Sequence, residues 1–300
     1  MTVQPCSLSR FQKKLLWQDI ELSKVFPLLK MCVSEDINNK GDITSEICQV
    51  EDSGIAALIA REEMVICGLP LIPLIIQEFQ LESIIVKNFK VDGERTKKNE
   101  VFACLHGRQK DILLVERTIL NFIQRLSGIA TLTKQFCTIL DKYEVGLLDT
   151  RKTTPGHRIL EKYATSCGGS YNHRMNLSDR ILIKDNHLAS HGINSTMGFS
   201  RFLKKVVKKA RNEVVEIEID QIEYLVPAIE AGVDAVLLDN FSPEEVKSAV
   251  LINKNRVVLE ASGGINLESL ECFAETKPHF ISTAAPIHSC RWIDIGLDWK

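Results

Sequence analysis

Six basic side chains, Arg117, Arg151, Lys152, His173, Arg174 and Lys184, are placed where a solvated surface would have no need of them. Arg151 and Lys152 follow the apolar run Val145-Gly146-Leu147-Leu148, at the head of DTRKTTPGHRILEKYA (149–164), which also crowds Asp149, His157, Arg158, Glu161 and Lys162. Lys184 follows Ile181–Ile183. His173 and Arg174 sit in GGSYNHR, where Gly168 and Gly169 allow a tight backbone. Arginine offers a planar fork for carboxylate or phosphate, and lysine a compact point charge. A pocket built from them suits a ligand with several negative charges. Taken singly, each cation is better explained by a neighbouring acid or by solvent. The set is harder to explain that way, because all but Arg117 fall at expected strand ends or in the loops beside them.

Acids form a second group. Glu218 lies in VVEIEID and Asp239 in LLDN, and Glu216 shares a strand face with Glu218 because side chains alternate. An acid inside a β run costs a good deal to bury unpaired, so it meets a cation, a metal or a hydroxyl. Magnesium, which binds through few carboxylates and keeps several waters, suits such a pair. A salt bridge to Lys184 or Arg151 is the ordinary alternative, and both can hold in turn. A third group is EASGGI (260–265) with STAAPIHS (282–289). Its small residues let backbone N–H groups approach a phosphate, or simply make a turn. His288 either touches that phosphate or caps a helix. Lys184 has a rival role as a Schiff-base lysine at a strand end, which leaves aldolase chemistry open.

The elements that must position these groups alternate. Six apolar runs, Val145–Leu148, Ile181–Ile183, Val214–Ile219, Ala235–Leu238, Val257–Leu259 and Phe280–Ser282, each end in polar residues. Helical segments are expected at 199–211, 222–231, 243–252 and 267–276. Alternation of β and α implies a parallel sheet with right-handed crossovers. Chemistry at every strand end points to an α/β barrel, with a doubly wound open sheet as the alternative. Before it, a helix at 22–34 and strands at 54–60, 84–91 and 101–105 form a smaller α+β region. A helical pattern then runs over 111–140, with Gly128 as its expected break.

Composition excludes several classes. Net charge is −2 from 37 basic and 39 acidic residues, so neither nucleic acid nor an anionic membrane is expected as partner. The nine cysteines are scattered, which argues for reduced thiols in a cytoplasmic protein rather than a disulfide framework or a structural zinc site. The opening MTVQPCSLSRFQKK lacks the apolar core of a secretory signal, and no run is long enough to span a membrane.

ERTILNFIQRLSGIATLT, LLDTRKTTPGHRILEKYA, CGGSYNHR, ILIKDNH, VEIEID, LLDN and LEASGGI, in that order, resemble the successive motifs of the quinolinate phosphoribosyltransferases, also called nicotinate-nucleotide pyrophosphorylases (carboxylating). Weaker likenesses lie in GDITSE and AREEMVICGLPLI. The resemblance implies an N-terminal α/β sandwich over 1–118, with 290–300 packing back on it, and an incomplete, open α/β barrel over 119–289. It also implies a homodimer or dimer-based oligomer with sites shared between subunits. The implied reaction joins quinolinate to phosphoribosyl pyrophosphate with Mg²⁺, giving nicotinate mononucleotide, CO₂ and pyrophosphate on the de novo route to NAD. By resemblance, Arg117 from a partner subunit, Arg151, His173, Arg174 and Lys184 hold quinolinate, and Lys152 and His173 also lie near the phosphoribosyl pyrophosphate. Glu218 and Asp239 meet ribose hydroxyls and the metal, directly or through water. Ser262, Gly263, Gly264, Ala284 and His288 line the 5-phosphate site; Lys152, Lys184, Glu218 and Asp239 are the expected catalytic set. Departures are local. Ala284 stands where the family usually has Gly, Pro286-Ile287 replaces a Leu-Thr pair, and GGS replaces GGG. Two alternatives are a molybdenum-gene-type homologue of the same fold and a catalytically silent assembly subunit.

Overall fold

The computed structural model describes residues 8–37 and 40–300. Its strands are β1 (Ser53–Ala60), β2 (Met64–Val65), β3 (Ile85–Asn88), β4 (Arg95–Thr96), β5 (Val101–Arg108), β6 (Gly146–Leu148), β7 (Ile181–Ile183), β8 (Val215–Ile219), β9 (Ala235–Asp239), β10 (Val258–Ser262), β11 (Phe280–Ser282) and β12 (Ile295–Trp299). They fall in two compact units that interleave along the chain.

One unit takes residues 15–134, 153–169 and 286–300. Its sheet has the order β12-β1-β5-β3, with every pair antiparallel. The apolar face of this sheet packs with the helix Gln109–Leu140 through Ile112, Val115, Ile119, Ile123 and Leu126, three and four apart on one stripe. Gly128 does not break that helix. It is there because a Cβ would lie 2.2 Å from the Arg291 carbonyl oxygen, so the sequence signal marks close backbone packing. The stretch 158–168, crowded with charge in the sequence, is the helix Arg158–Gly168, closed by Gly169 at φ 111°. Its Glu161 is buried and accepts hydrogen bonds from Arg125 Nη2 (2.7 Å) and from the Thr154 amide (2.9 Å) and hydroxyl (2.8 Å). Lys162 is buried with it. Neither belongs to the cation set.

The other unit takes the described residues up to Lys14 together with 135–152 and 170–285. Its six strands are all parallel, in the order β6-β11-β10-β9-β8-β7. From β7 to β11 each strand lies beside its successor in sequence, and β6 adds beyond β11. No reversal of order occurs, so there is no switch point of the doubly wound kind. The ring is open between its edge strands β6 and β7. Val, Ile and Leu fill the runs because a parallel sheet is covered on both faces. Phe280, Leu148, Val214, Ala235, Val258 and Phe11 form one buried cluster, and each of its large side chains contributes about 1.5–3 kcal/mol by burial. Gly146 opposite Phe280 leaves room for the ring, which a Cβ would meet at 2.5 Å. Helices intervene at Thr196–Ala210, Leu225–Ala231, Pro243–Asn253 and Leu270–Ala274. The third starts with Ser242 and Glu245 capping each other's backbone amides. Among the described residues, no helix is long and apolar enough to cross a membrane.

Candidate active site

Strand register places the chemistry. Leu148, Ser282, Ser262 and Asp239 are paired neighbours across β6, β11, β10 and β9, so the C-terminal ends of these strands stand level. One row inward, Glu260 and Glu218 both pair with Leu237. These ends open into a cavity of about 430 Å³, lined by Arg151, Lys152, His173, Arg174, Lys184, Glu218, Asp239, Ser262, Gly263 and Gly264 among the expected residues, and by Thr150, Leu182, Leu237, Asn240, Glu260 and Ser282. Arg117 and His288 belong to the other unit and are exposed there; Ala284 follows β11 but does not line the cavity.

Each cation is held by its own segment. Asp149, buried at the end of β6, accepts from the His173 amide (2.8 Å) and the Asn172 side chain (2.7 Å). It ties the loop carrying His173 and Arg174 to the strand that leads into Arg151 and Lys152. Burial, then the charge of Arg151, lowers the pKa of Arg174, so the two guanidinium groups lie close enough to repel one another. Lys184 forms an ion pair with Glu218, which is the ordinary alternative raised by the sequence. A Schiff-base role asks for a bare amine in an apolar pocket, and this lysine is engaged by a carboxylate.

Gly263 (φ 113°) and Gly264 (φ 60°) turn the backbone after β10. A Cβ on Gly263 would stand 2.4 Å from Asn240 Oδ1 and 2.7 Å from its backbone nitrogen. Gly263→Ala is therefore expected to cost about 1–3 kcal/mol by overpacking. An unchanged urea midpoint would show that the 239–240 turn can retreat.

Beneath the cavity lies a buried set that sequence reasoning did not assemble. Arg180, 8% exposed, places Nη1 3.2 Å from Glu216 Oε2 and its guanidinium over the Phe11 ring at 4.3 Å. His173 Nε2 stands 3.4 Å from Glu216 Oε2 and 3.6 Å from Glu260 Oε1, while Nδ1 accepts from the Arg174 amide at 2.8 Å. Burial opposes ionisation of Glu216, but His173 and Arg180 outweigh it and hold the carboxyl at about 2. Burial, then the negative Glu216, pushes Glu260 up to about 7. Neither oxygen of Glu260 has a hydrogen-bond partner. The visible signal in the sequence was Glu216, an acid inside one apolar run; Glu260 followed another run at the head of a turn. What it lacked was the identity of the partners, which lie tens of residues away.

The family model for the quinolinate phosphoribosyl transferase N-terminal domain matches residues 42–127, and that for its C-terminal domain matches 129–298. The chain belongs to the quinolinate phosphoribosyltransferase family. A Bacillus subtilis relative, named as a probable nicotinate-nucleotide pyrophosphorylase (carboxylating), is 40% identical over 278 residues, covering 90% of this chain and 92% of its own. The nicotinate-nucleotide pyrophosphorylase structure from Francisella tularensis superposes with a TM-score of 0.86 at 39% identity, covering 94% of this chain and 98% of that one. Its Ehrlichia chaffeensis counterpart gives 0.84 at 37% identity, covering 94% and 99%. In this family member the parallel unit is the open, barrel-like domain, and the antiparallel sheet is separate from it.

Proposed function

We propose that this quinolinate phosphoribosyltransferase makes nicotinate mononucleotide, CO₂ and pyrophosphate from quinolinate and phosphoribosyl pyrophosphate, in the de novo synthesis of NAD. The observation that carries the reading is the convergence of Arg151, Lys152, His173, Arg174 and Lys184 on one cavity. Quinolinate has two carboxylates, and four of these groups, with Arg117 of the partner subunit, are assigned to them. Lys152 faces the phosphoribosyl pyrophosphate. The Gly263–Gly264 turn, with Ser262, offers backbone amides to the 5-phosphate; Ala284 and His288 are assigned to the same loop region. Glu218 and Asp239 hold ribose hydroxyls and favour positive charge at the anomeric carbon as the pyridine nitrogen attacks it and pyrophosphate departs. The pyridinium so formed then draws off the electrons of the adjacent C–C bond, and CO₂ leaves. No protein nucleophile is required.

Glu218 and Asp239 both line the cavity and offer hard oxygen ligands, a donor set that fits Mg²⁺. Bound there, the ion would neutralise charge on the leaving pyrophosphate. We further propose a homodimer, or an oligomer built from dimers, with shared sites, and cytoplasmic residence, which the scattered free cysteines support. A domain boundary near residue 118 goes with this reading, with 290–300 assigned to the N-terminal domain; the pairing of β12 with β1 supports that assignment.

The test is substrate choice. Purified protein with phosphoribosyl pyrophosphate and Mg²⁺ is expected to release labelled CO₂ from quinolinate, and to use nicotinate on the order of 10- to 100-fold less well. The missing carboxylate leaves desolvated cations without a partner. Equal turnover of the two acids would point to a different phosphoribosyltransferase.

A further inference from the structure

We propose that Glu260 is the general acid that returns a proton to the pyridine ring when CO₂ departs. The inference rests on the quinolinate reading above and adds a residue to it. Loss of CO₂ breaks a C–C bond and leaves its electron pair on the ring carbon beside the nitrogen. That carbon must gain a proton to give nicotinate mononucleotide. Charge and atoms balance if an acidic O–H supplies it: a C–H bond forms, the O–H bond breaks, and the carboxylate left behind is recharged from water.

Three observations single out Glu260. It lines the cavity, yet its side chain is fully buried. Neither of its oxygens is engaged by a hydrogen bond, which is unusual for a buried carboxyl in a polar setting. Its neighbours also decide where the proton rests. From the loop after Gly169, His173 presents Nε2 at 3.6 Å, and from β8 Glu216 faces the same imidazole at 3.4 Å with Arg180 behind it. His173 Nδ1 already accepts from the Arg174 amide. Burial opposes ionisation of the ring, but the carboxylates of Glu260 and Glu216 outweigh it and raise its pKa. Glu216, paired with Arg180 and His173, stays ionised. Of the two carboxyls that face the imidazole, Glu260 is the one that takes a proton near neutrality. Burial and the negative Glu216 raise this carboxyl to about 7, where a general acid both holds and gives up its proton near neutrality. A neutral acid also leaves unrepelled the dicarboxylate that the surrounding cations attract. The rival donors are water and the ammonium groups of Lys152 and Lys184. Lys184 is occupied by Glu218.

The experiment is a single turnover on the full chain, following pyrophosphate release and nicotinate mononucleotide separately. With Glu260→Gln, pyrophosphate release from quinolinate is expected to persist. Nicotinate mononucleotide should form about 10²-fold more slowly than in the wild type, with the dicarboxylate nucleotide building up between the two. In the wild type, the second step should be full below pH 7 and fall as pH rises through about 7, because only the protonated acid can donate. That fall should vanish in the variant. The wild-type profile carries the test without any substitution. A second step that is flat from pH 6 to 9, or a variant in which both products keep wild-type rates, would assign the proton to water or a lysine. Wild-type protein that releases no pyrophosphate from quinolinate would overturn the underlying reading instead.

Discussion

Glu216→Gln is expected to destabilise the protein by about 3–5 kcal/mol, the usual consequence of removing one partner from a buried ion pair. The carboxylate is wholly inaccessible, and it is the counter-charge of Arg180, itself only 8% exposed. It also accepts the proton side of His173. Glutamine keeps the shape but leaves a guanidinium without its counter-charge in a low-dielectric interior, so the penalty is desolvation that nothing repays. Urea denaturation should show a lower midpoint at unchanged slope. The paired replacement Arg180→Met with Glu216→Leu should recover most of the loss, because both charges go together. Acid does chemically what the substitution does genetically. With its folded pKa held at about 2, below the ordinary carboxylate value, Glu216 contributes stability at neutral pH that is lost as pH falls toward that value. A Glu216→Gln protein within about 1 kcal/mol of the wild type would mean that the pair is solvated in solution and is not the closed floor of the cavity.

Subunits that are inactive alone are expected to restore activity when mixed. Arg117 is exposed on the helix Gln109–Leu140 in one compact unit, while Lys184 lines the cavity of the other. If the catalytic site takes its arginine from a neighbouring subunit, Arg117→Ala and Lys184→Ala lesions segregate in a mixed dimer. One site then carries both lesions and the other carries neither. Exchange at equal proportions should bring activity from near nothing to roughly a quarter of the wild-type value, as two-fold symmetry requires. Fully exchanged mixtures that stay as inactive as their parents would place Arg117 in its own subunit's site or outside catalysis.

The positions of the parallel strands were legible in the sequence because their apolar runs end abruptly in charge: Ile181–Ile183 and Phe280–Ser282 coincide with β7 and β11. Strand register then does the rest, since it levels the ends and brings Arg151, His173, Lys184, Glu218 and Asp239 to one mouth. Two local signals misled. Gly128 looked like a helix break, but its missing side chain makes room for the Arg291 carbonyl, a neighbour 163 residues away that no window reveals. Glu161 and Lys162 looked like part of a charged display, yet helical rotation turns both into the interior. Glu216 was visible as an acid sharing a face with Glu218. Its distinct fate, sealed under the cavity while Glu218 opens into it, depends on Arg180 and His173. That long-range partnership is set by topology, not by spacing. The same holds for Glu260, whose strand reads as an ordinary apolar run leading to a turn.

The pairing of β1 with β12 has a further consequence for how the protein is made. The bond from Arg61 to Asp298 spans 237 residues, and the whole outer edge of β1 from Ala56 to Ala60 waits on the same late segment. A ribosome adding about 5–20 residues per second takes on the order of 10–50 s to cover that interval. Throughout it, a strand of alanine, leucine and isoleucine presents open amides and carbonyls to other nascent chains, the kind of edge that invites aggregation. Chaperone occupancy during synthesis should therefore centre on this edge, and a short peptide copying Ile295–Trp299 should compete for it.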